Sequence, residues 1–250
     1  MVNNGIKKEP IWVRIYMLSA TEDELSDLEL DTLSKSLPKE LYERRERANA
    51  KNLKRDRALA YTALMYAVYE SGIDPDKAEI VFSNSGKPSI SGSKYYISVS
   101  HASNVGIAAI SNIDIGIDME LLDEKTTATL NKVCERFIPN FHPYAEPMQD
   151  FFYDAEQNSP AGFEIKFHSL LPEKQNGKAF LEKASAKCYS GLGGSKAERW
   201  TCAEALLKLD GRGMSAMPEI EKIRATACVY TACISPADNT DLAVVSLATE

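Results

Sequence analysis

Long apolar runs, secretory features and an excess of positive charge are all missing from this chain of 250 residues. No stretch of 18 or more apolar residues is present, which argues against a transmembrane helix, and the first ten residues lack the apolar centre of a signal peptide. The formal net charge of -7 argues against general nucleic-acid binding, because proteins that bind the phosphate backbone normally carry a basic surface. We therefore expect a cytoplasmic protein that binds neither a membrane nor nucleic acid.

Cysteine patterns that build disulfide frameworks or zinc ribbons are missing as well. The 5 cysteines are irregularly spaced and include no CxxC pair, so we interpret them as reduced thiols. The glycine cluster at 191–194 is not followed by Lys-Ser or Lys-Thr, as a P-loop would be, and we interpret it as a linker. With an apolar fraction of 44%, the chain can bury a core as one large domain or two small ones.

What the chain does contain is a strand-like segment with two carboxylates on one face. Apolar and other residues alternate from Ile113 to Glu120, so Asp118 and Glu120 share one face of the predicted strand. Two close negative charges repel each other unless a cation, a base or water compensates them, and a hard divalent metal ion is a natural compensation. Two solvated carboxylates at a strand end would give the same pattern, so this segment alone does not distinguish a metal site from a solvated strand end.

A second segment predicts a helix that carries a carboxylate and an amine on one face. Trp200, Glu204 and Lys208 are spaced at i, i+4 and i+8, and strong helix formers continue until Gly211. A surface ion pair would explain the spacing, but the tryptophan on the same stripe favours a partly covered face. A third carboxylate beside a lysine would complete a magnesium site and supply a cation for phosphate.

Polar and basic groups suited to an anionic ligand occur earlier in the chain. The turn predicted at 86–88 holds a lysine outside regular structure, and the strand predicted at 95–101 ends in a Ser-His tip. The segment 41–69 predicts a helix with a basic run at 44–57. A basic run is usually a solvated helix face and a lone histidine is usually structural, so neither identifies a ligand by itself.

In this order, the four segments resemble the signature of the 4'-phosphopantetheinyl transferases of the Sfp type. The resemblance covers residues 41–120 and 198–213, and the glycine pair that the family has after the helix is present as Gly211 and Gly213. The resemblance implies transfer of the 4'-phosphopantetheine arm of coenzyme A to a serine of an acyl or peptidyl carrier protein, with release of adenosine 3',5'-bisphosphate.

The resemblance also implies roles for individual residues. Mg²⁺ would be held by Asp118, Glu120 and Glu204, and Glu204 would take the serine proton directly or through water. Lys208 would stabilise the pyrophosphate and the leaving group. Coenzyme A would be contacted by the following residues: Arg45, Arg57, Lys87, Ser100 and His101. Ala203 stands where relatives usually have a lysine.

The fold implied by the resemblance is α+β, with two similar lobes related by a pseudo-twofold axis and the active site between them. The N-terminal lobe would be 1–120, with coenzyme A binding and the acidic strand, and the C-terminal lobe would be 121–250, with an atypical connector at about 121–198. Strands are expected at 11–18, 95–100, 105–111, 113–120, 223–234 and 242–247, and the three at 95–100, 105–111 and 113–120 would close the first lobe. We expect the chain to be a monomer.

Two other functional classes stay open. A magnesium-dependent hydrolase of coenzyme A or nucleotide pyrophosphates would use the same acidic cluster with water as the attacking group. A catalytically weak homologue that binds coenzyme A or a carrier is the other class, and Ala203 and the atypical connector motivate it.

Overall fold

The computed structural model describes residues 10–148, 163–175, 178–185, 188–189, 195–234 and 243–250, which form a mixed α+β fold. The first elements are β1 (Ile11–Ser19), α1 (Asp27–Ser34), α2 (Lys39–Glu46), α3 (Lys51–Glu70), a 3-10 helix (Pro75–Lys77), β2 (Ile80–Phe82), β3 (Pro88–Ile90), β4 (Tyr96–Ala102), β5 (Val105–Ser111), β6 (Ile115–Leu121) and α4 (Glu124–Phe137). The remaining elements are β7 (Glu146–Pro147), β8 (Phe163–Gln175), β9 (Lys178–Ser185), β10 (Cys188–Tyr189), α5 (Lys196–Asp210), a 3-10 helix (Gly213–Glu219), α6 (Ile220–Arg224), β11 (Cys228–Ile234) and β12 (Ala243–Thr249). Among the described helices, none has both the length and the apolar composition that crossing a bilayer requires.

The strands form two sheets. The larger sheet has seven strands in the order β2-β3-β4-β5-β1-β8-β9, and only the β1–β8 pair in it is parallel. The smaller sheet has the order β10-β11-β12-β6, with β7 paired to β11. In the register of β6 with β12, Asp118 lies opposite Ser246 and Glu120 opposite Val244. The carboxylates of β6 therefore lie on an edge strand of the smaller sheet.

The three strands expected to close the first lobe are divided between the two sheets. The strands predicted at 95–100 and 105–111 pair in the larger sheet, as β4 and β5, and β6 pairs with β12 in the smaller sheet. In addition, β8 and β9, which belong to the predicted connector, extend the larger sheet. The division into lobes 1–120 and 121–250 stays a prediction, and each sheet contains strands from both sides of residue 120.

Three apolar clusters show how the layers pack. The first joins α3 to the larger sheet, through residues such as Leu64 and Ile110. The second lies between the two sheets, through residues such as Ile107, Ile117 and Leu247, and the third joins α5 to the smaller sheet. The layers therefore run helix, sheet, sheet, helix, and most of the buried apolar surface that stabilises the fold lies at these three contacts.

The alternation along β6 decides which way its carboxylates face. Ile115, Ile117 and Met119 lie in the cluster between the sheets, so the intervening residues face α5. Gly116 is one of them, and a Cβ added there would lie 2.0 Å from the Ala205 carbonyl oxygen and 2.4 Å from the Leu209 nitrogen. Only glycine permits this approach, which brings the backbone of α5 directly over the acidic face of the strand.

Two predicted elements have different bounds in the structure. The helix expected at 41–69 is divided into α2 and α3, and the Arg57 guanidinium donates a hydrogen bond of 2.8 Å to the Arg44 carbonyl oxygen near the end of α2. This carbonyl is one of those that a helix end leaves without an intrahelical partner. The strand expected at 223–234 begins only at Cys228, because α6 extends to Arg224. The glycine cluster at 191–194 lies outside the described residues.

We expect Gly116→Ala to destabilise the fold by about 3 kcal/mol, because a backbone cannot yield to a methyl group as a side chain can. Gly72→Ala is the comparison, since no described residue lies within 4 Å of its added Cβ. Its left-handed backbone conformation should cost an alanine about 1 kcal/mol. Urea unfolding of both variants measures the two effects. Equal losses of unfolding free energy would contradict the close packing of α5 on β6.

Candidate active site

A cleft of about 280 Å³ lies where β4, the turn before β3 and α5 meet. Three of the residues predicted for the site line it, namely Lys87, Glu204 and Lys208. The apolar part of its wall includes Val99 and Leu207. The cleft therefore combines charged groups of both signs with an apolar surface.

Asp118 lies beside this cleft and is 2% exposed. Its Oδ1 accepts a hydrogen bond of 2.7 Å from the Ser100 hydroxyl and one of 2.6 Å from the Lys208 ammonium. Its Oδ2 is buried and accepts no hydrogen bond from an ordinary donor among the described residues, while the protonated form of Glu204 can donate to Asp118. One carboxylate thus joins β4, β6 and α5.

A serine that the sequence analysis missed holds β4 against β6. The Ser98 hydroxyl oxygen accepts a hydrogen bond of 3.0 Å from the Ile117 backbone nitrogen. Ser98 and Ser100 are two residues apart on β4 and therefore point to the same side of the strand. Two serines spaced two residues apart in an otherwise apolar strand were the sequence pattern that could have indicated the role of Ser98. The hydrogen bond of Ser98 holds β4 close to β6, and at this distance the Ser100 hydroxyl reaches Asp118.

The two glutamates predicted to bind metal have raised pKa values. Burial, and then the charge of Asp118, raise the pKa of Glu204 to about 8. The same two causes, in the same order, raise the pKa of Glu120 to about 7. The Lys208 ammonium acts in the opposite direction on both groups. The cluster therefore binds protons near neutral pH unless another cation takes their place.

The donor chemistry of this cluster fits a hard divalent cation, since all three predicted ligands are carboxylates. The observation that most favours such a cation is the buried Oδ2 of Asp118, which accepts no hydrogen bond from an ordinary donor in the described ranges. As the side chains stand, however, the described residues contain no group of three or more His, Cys, Asp or Glu side chains that could hold a metal ion. A bound cation would therefore need a different arrangement of these side chains.

The polar tip of β4 and the start of α3 bring further predicted residues near the cluster. His101 has its pKa lowered chiefly by burial, and the charges of Lys208 and Arg57 lower it further, while Asp56 and Asp118 oppose them. His101 therefore lies within electrostatic range of both the cluster and Arg57. Burial favours the neutral imidazole, which can donate or accept a hydrogen bond.

Arg45 and Lys87 are held by contacts that the sequence did not reveal. Arg45 is 7% exposed and pairs with Asp31 and, at 2.9 Å, with Glu46. This burial among α1 and α2 argues against the predicted contact of Arg45 with coenzyme A. Lys87 lies at the cleft, but its ammonium donates hydrogen bonds of 2.6 Å to both Asp114 Oδ1 and the Leu209 carbonyl oxygen.

No model of a known protein family matches the chain. A curated relative, the 4'-phosphopantetheinyl transferase HetI of Nostoc sp. (strain PCC 7120), is 26% identical over 156 residues, which are 60% of this chain and 48% of the relative. The chain is therefore similar to a phosphopantetheinyl transferase. The matched segment spans about half the length of that relative. This distant similarity agrees with the family resemblance of the sequence motifs and supports a transferase.

We expect the thermal stability of Glu204→Gln, relative to the unsubstituted protein, to rise between pH 5 and pH 8 in the absence of divalent cations. The pKa of Glu204 is raised from 4.5 to about 8 by folding, so the folded state binds the extra proton over this range. The stability that this group contributes is complete below its unfolded pKa and is lost as the pH rises through its folded pKa. Glutamine does not ionise, so the Glu204→Gln variant does not lose this stability as the pH rises.

Melting temperatures across a pH series in EDTA measure this difference. Glu79→Gln is the matched control, because it removes one carboxylate from an exposed position and so reports the effect of net charge. A difference between Glu204→Gln and the unsubstituted protein that stays constant with pH would contradict the raised pKa.

Proposed function

We propose that this chain is a 4'-phosphopantetheinyl transferase of the Sfp type. It would transfer the phosphopantetheine arm of coenzyme A to a serine hydroxyl of an acyl or peptidyl carrier protein and release adenosine 3',5'-bisphosphate. The observation that carries the proposal is the meeting of Asp118, Glu204 and Lys208 beside one cleft. Within the described part of the chain, one buried oxygen of Asp118 accepts no hydrogen bond from an ordinary donor. The similarity to a curated transferase supports the proposal independently.

The proposed reaction is magnesium-dependent. Asp118, Glu120 and Glu204 would hold the ion, and the raised pKa values of the two glutamates fit carboxylates that a cation stabilises in the ionised form. When bound, magnesium would withdraw negative charge from the pyrophosphate of coenzyme A. The Ser100 hydroxyl, which donates to Asp118 Oδ1 at 2.7 Å, would hold the Asp118 carboxylate in a fixed orientation.

Residues at the cleft would carry out the remaining steps of the transfer. The carrier serine oxygen forms a bond to the phosphorus on the pantetheine side, and the bond from that phosphorus to the adenosine-side phosphate breaks. Glu204 would take the serine proton, directly or through a water molecule. Lys208, which lines the cleft, would neutralise charge on the pyrophosphate and on the leaving bisphosphate. Positioning and neutralisation of charge are the main sources of catalysis in such transfers.

Coenzyme A would lie along the cleft toward α3. Lys87 lines the cleft and the charge of Arg57 acts on His101, and we assign these three residues to the phosphates of coenzyme A. Arg45 would act on stability instead, through its contacts with Asp31 and Glu46. The Val99 and Leu207 part of the wall would accommodate apolar atoms of the pantetheine arm.

We expect the protein to increase the mass of an apo carrier protein by one phosphopantetheine group when coenzyme A and Mg²⁺ are supplied. Asp118→Ala and Glu204→Ala should abolish the transfer, because each removes a proposed metal ligand. Excess EDTA should do the same. Intact mass spectrometry of fatty-acid, polyketide and nonribosomal-peptide carriers measures the product, and calorimetry with Mn²⁺ reports metal binding without turnover.

Asp76→Ala is the control for this experiment, because Asp76 is exposed on the 3-10 helix after α3 and should transfer normally. Unmodified carriers together with free phosphopantetheine would indicate a hydrolase and contradict the proposal. Coenzyme A binding without any product would indicate a binding homologue. Normal transfer by Asp118→Ala would remove this residue from the reaction.

We expect Arg57→Ala to weaken coenzyme A binding by one to two orders of magnitude, since a charge-assisted hydrogen bond contributes about 1.5 to 3 kcal/mol. Arg45→Met is the matched comparison. It should lower the melting temperature, because Arg45 is buried in two ion pairs, and leave the affinity of the folded protein unchanged. Calorimetric titration and thermal unfolding of both variants separate the two effects. Unchanged affinity in Arg57→Ala would exclude Arg57 from the site.

A further inference from the structure

The turn that carries Lys87 is fastened to the C-terminal end of α5. The Ser85 hydroxyl donates a hydrogen bond to the Gly211 carbonyl oxygen, and a Cβ added at Gly211 would lie 3.2 Å from Lys87 Cδ. The Lys87 ammonium donates to the Leu209 carbonyl at 2.6 Å, where the helix dipole favours a cation. The side chain of Lys87 is thereby laid along the end of the helix.

Asp114 provides the second anchor of this amine. Its Oδ1 lies 2.6 Å from Lys87 Nζ, and the two side chains are only 20% and 25% exposed, Lys87 first. The same oxygen accepts a hydrogen bond of 2.8 Å from the Ile115 nitrogen, so the carboxylate is fixed by its own backbone. An ammonium has three donors, and the structure shows two of them used within the protein.

The two cavities around Lys87 show the direction in which it is held. Lys87 lines both the proposed active-site cleft and a neighbouring cavity of about 430 Å³. Asp114 lines only the neighbouring cavity of the two, whereas Glu204 and Lys208 line only the cleft. Asp114 therefore draws the amine toward the side away from the acidic cluster, and its negative charge offsets the charge that Lys87 would offer to an anion.

We propose that Asp114 is a positioning residue that restrains Lys87 and so sets the affinity of the cleft for phosphorylated ligands. It competes with a ligand phosphate for the Lys87 amine, because both are anions that accept from the same donors. This inference rests on the proposed function for the identity of the ligand, an adenosine bisphosphate moiety, and not for the contact itself. The sequence held a signal, since Asp114 precedes Asp118 by four residues and so falls on the same two-residue alternation as Asp118 and Glu120.

The test is a double-mutant cycle on the binding of adenosine 3',5'-bisphosphate, measured by calorimetry. Asp114→Asn keeps an oxygen for the Ile115 nitrogen and removes the charge, so we expect about fivefold tighter binding, as for the release of a partly exposed ion pair. In a Lys87→Met background the same substitution should give no gain. Asp76→Asn, which removes one charge from an exposed position, is the control and should leave the affinity unchanged.

The outcomes separate this inference from the proposed function. An affinity in Asp114→Asn that is equal to or weaker than that of the unsubstituted protein overturns the inference, as does a gain that persists without Lys87 or appears in Asp76→Asn. In the transfer assay, Asp114→Asn should lower the KM for coenzyme A about fivefold with little change in kcat. A protein that transfers nothing but shows the expected cycle supports the inference and contradicts the proposed function. Normal transfer, together with no effect of Asp114→Asn that depends on Lys87, supports the proposed function and overturns the inference.

Discussion

The approach of α5 to β6 at Gly116 is the constraint on which the arrangement of the site depends. Because a side chain at this position would collide with the helix backbone, only glycine lets Glu204 and Lys208 come down onto the acidic face of the strand. The opposite face of β6 is apolar and buried between the sheets. This packing fixes which way the strand faces and so keeps Asp118 directed at α5, since a shift of one residue would exchange the two faces.

Electrostatic balance in the site follows from that packing. Burial of Asp118 would be costly if the charge had no partners, and here Ser100 and Lys208 supply two hydrogen bonds to one oxygen. The second oxygen of Asp118 and the carboxylates of Glu120 and Glu204 receive less compensation, and burial raises the pKa values of both glutamates. The fold thus concentrates carboxylates where they favour a cation or protons, which is a common property of functional sites.

Some basic residues of the N-terminal helices are buried and hold the fold together, and others are candidates for binding a ligand. Arg55 is 6% exposed and donates to three carbonyl oxygens, those of Ala20, Thr21 and Leu25, so it fastens α3 to the segment before α1. Arg57, two residues later, bonds the end of α2 and also acts on His101. A run of similar charges in the sequence therefore contains both structural braces and candidate ligand contacts.

The sequence by itself determined the elements whose signals are local. Alternation along β6 predicted the shared face of Asp118 and Glu120, and the spacing of Glu204 and Lys208 predicted one helix face, because strand and helix periods are properties of a short segment. Only the tertiary structure decided that β6 pairs with β12, that Arg45 is buried in ion pairs and that Asp114 holds Lys87. These contacts join residues from different elements, and their partners are chosen by packing, which no local pattern encodes.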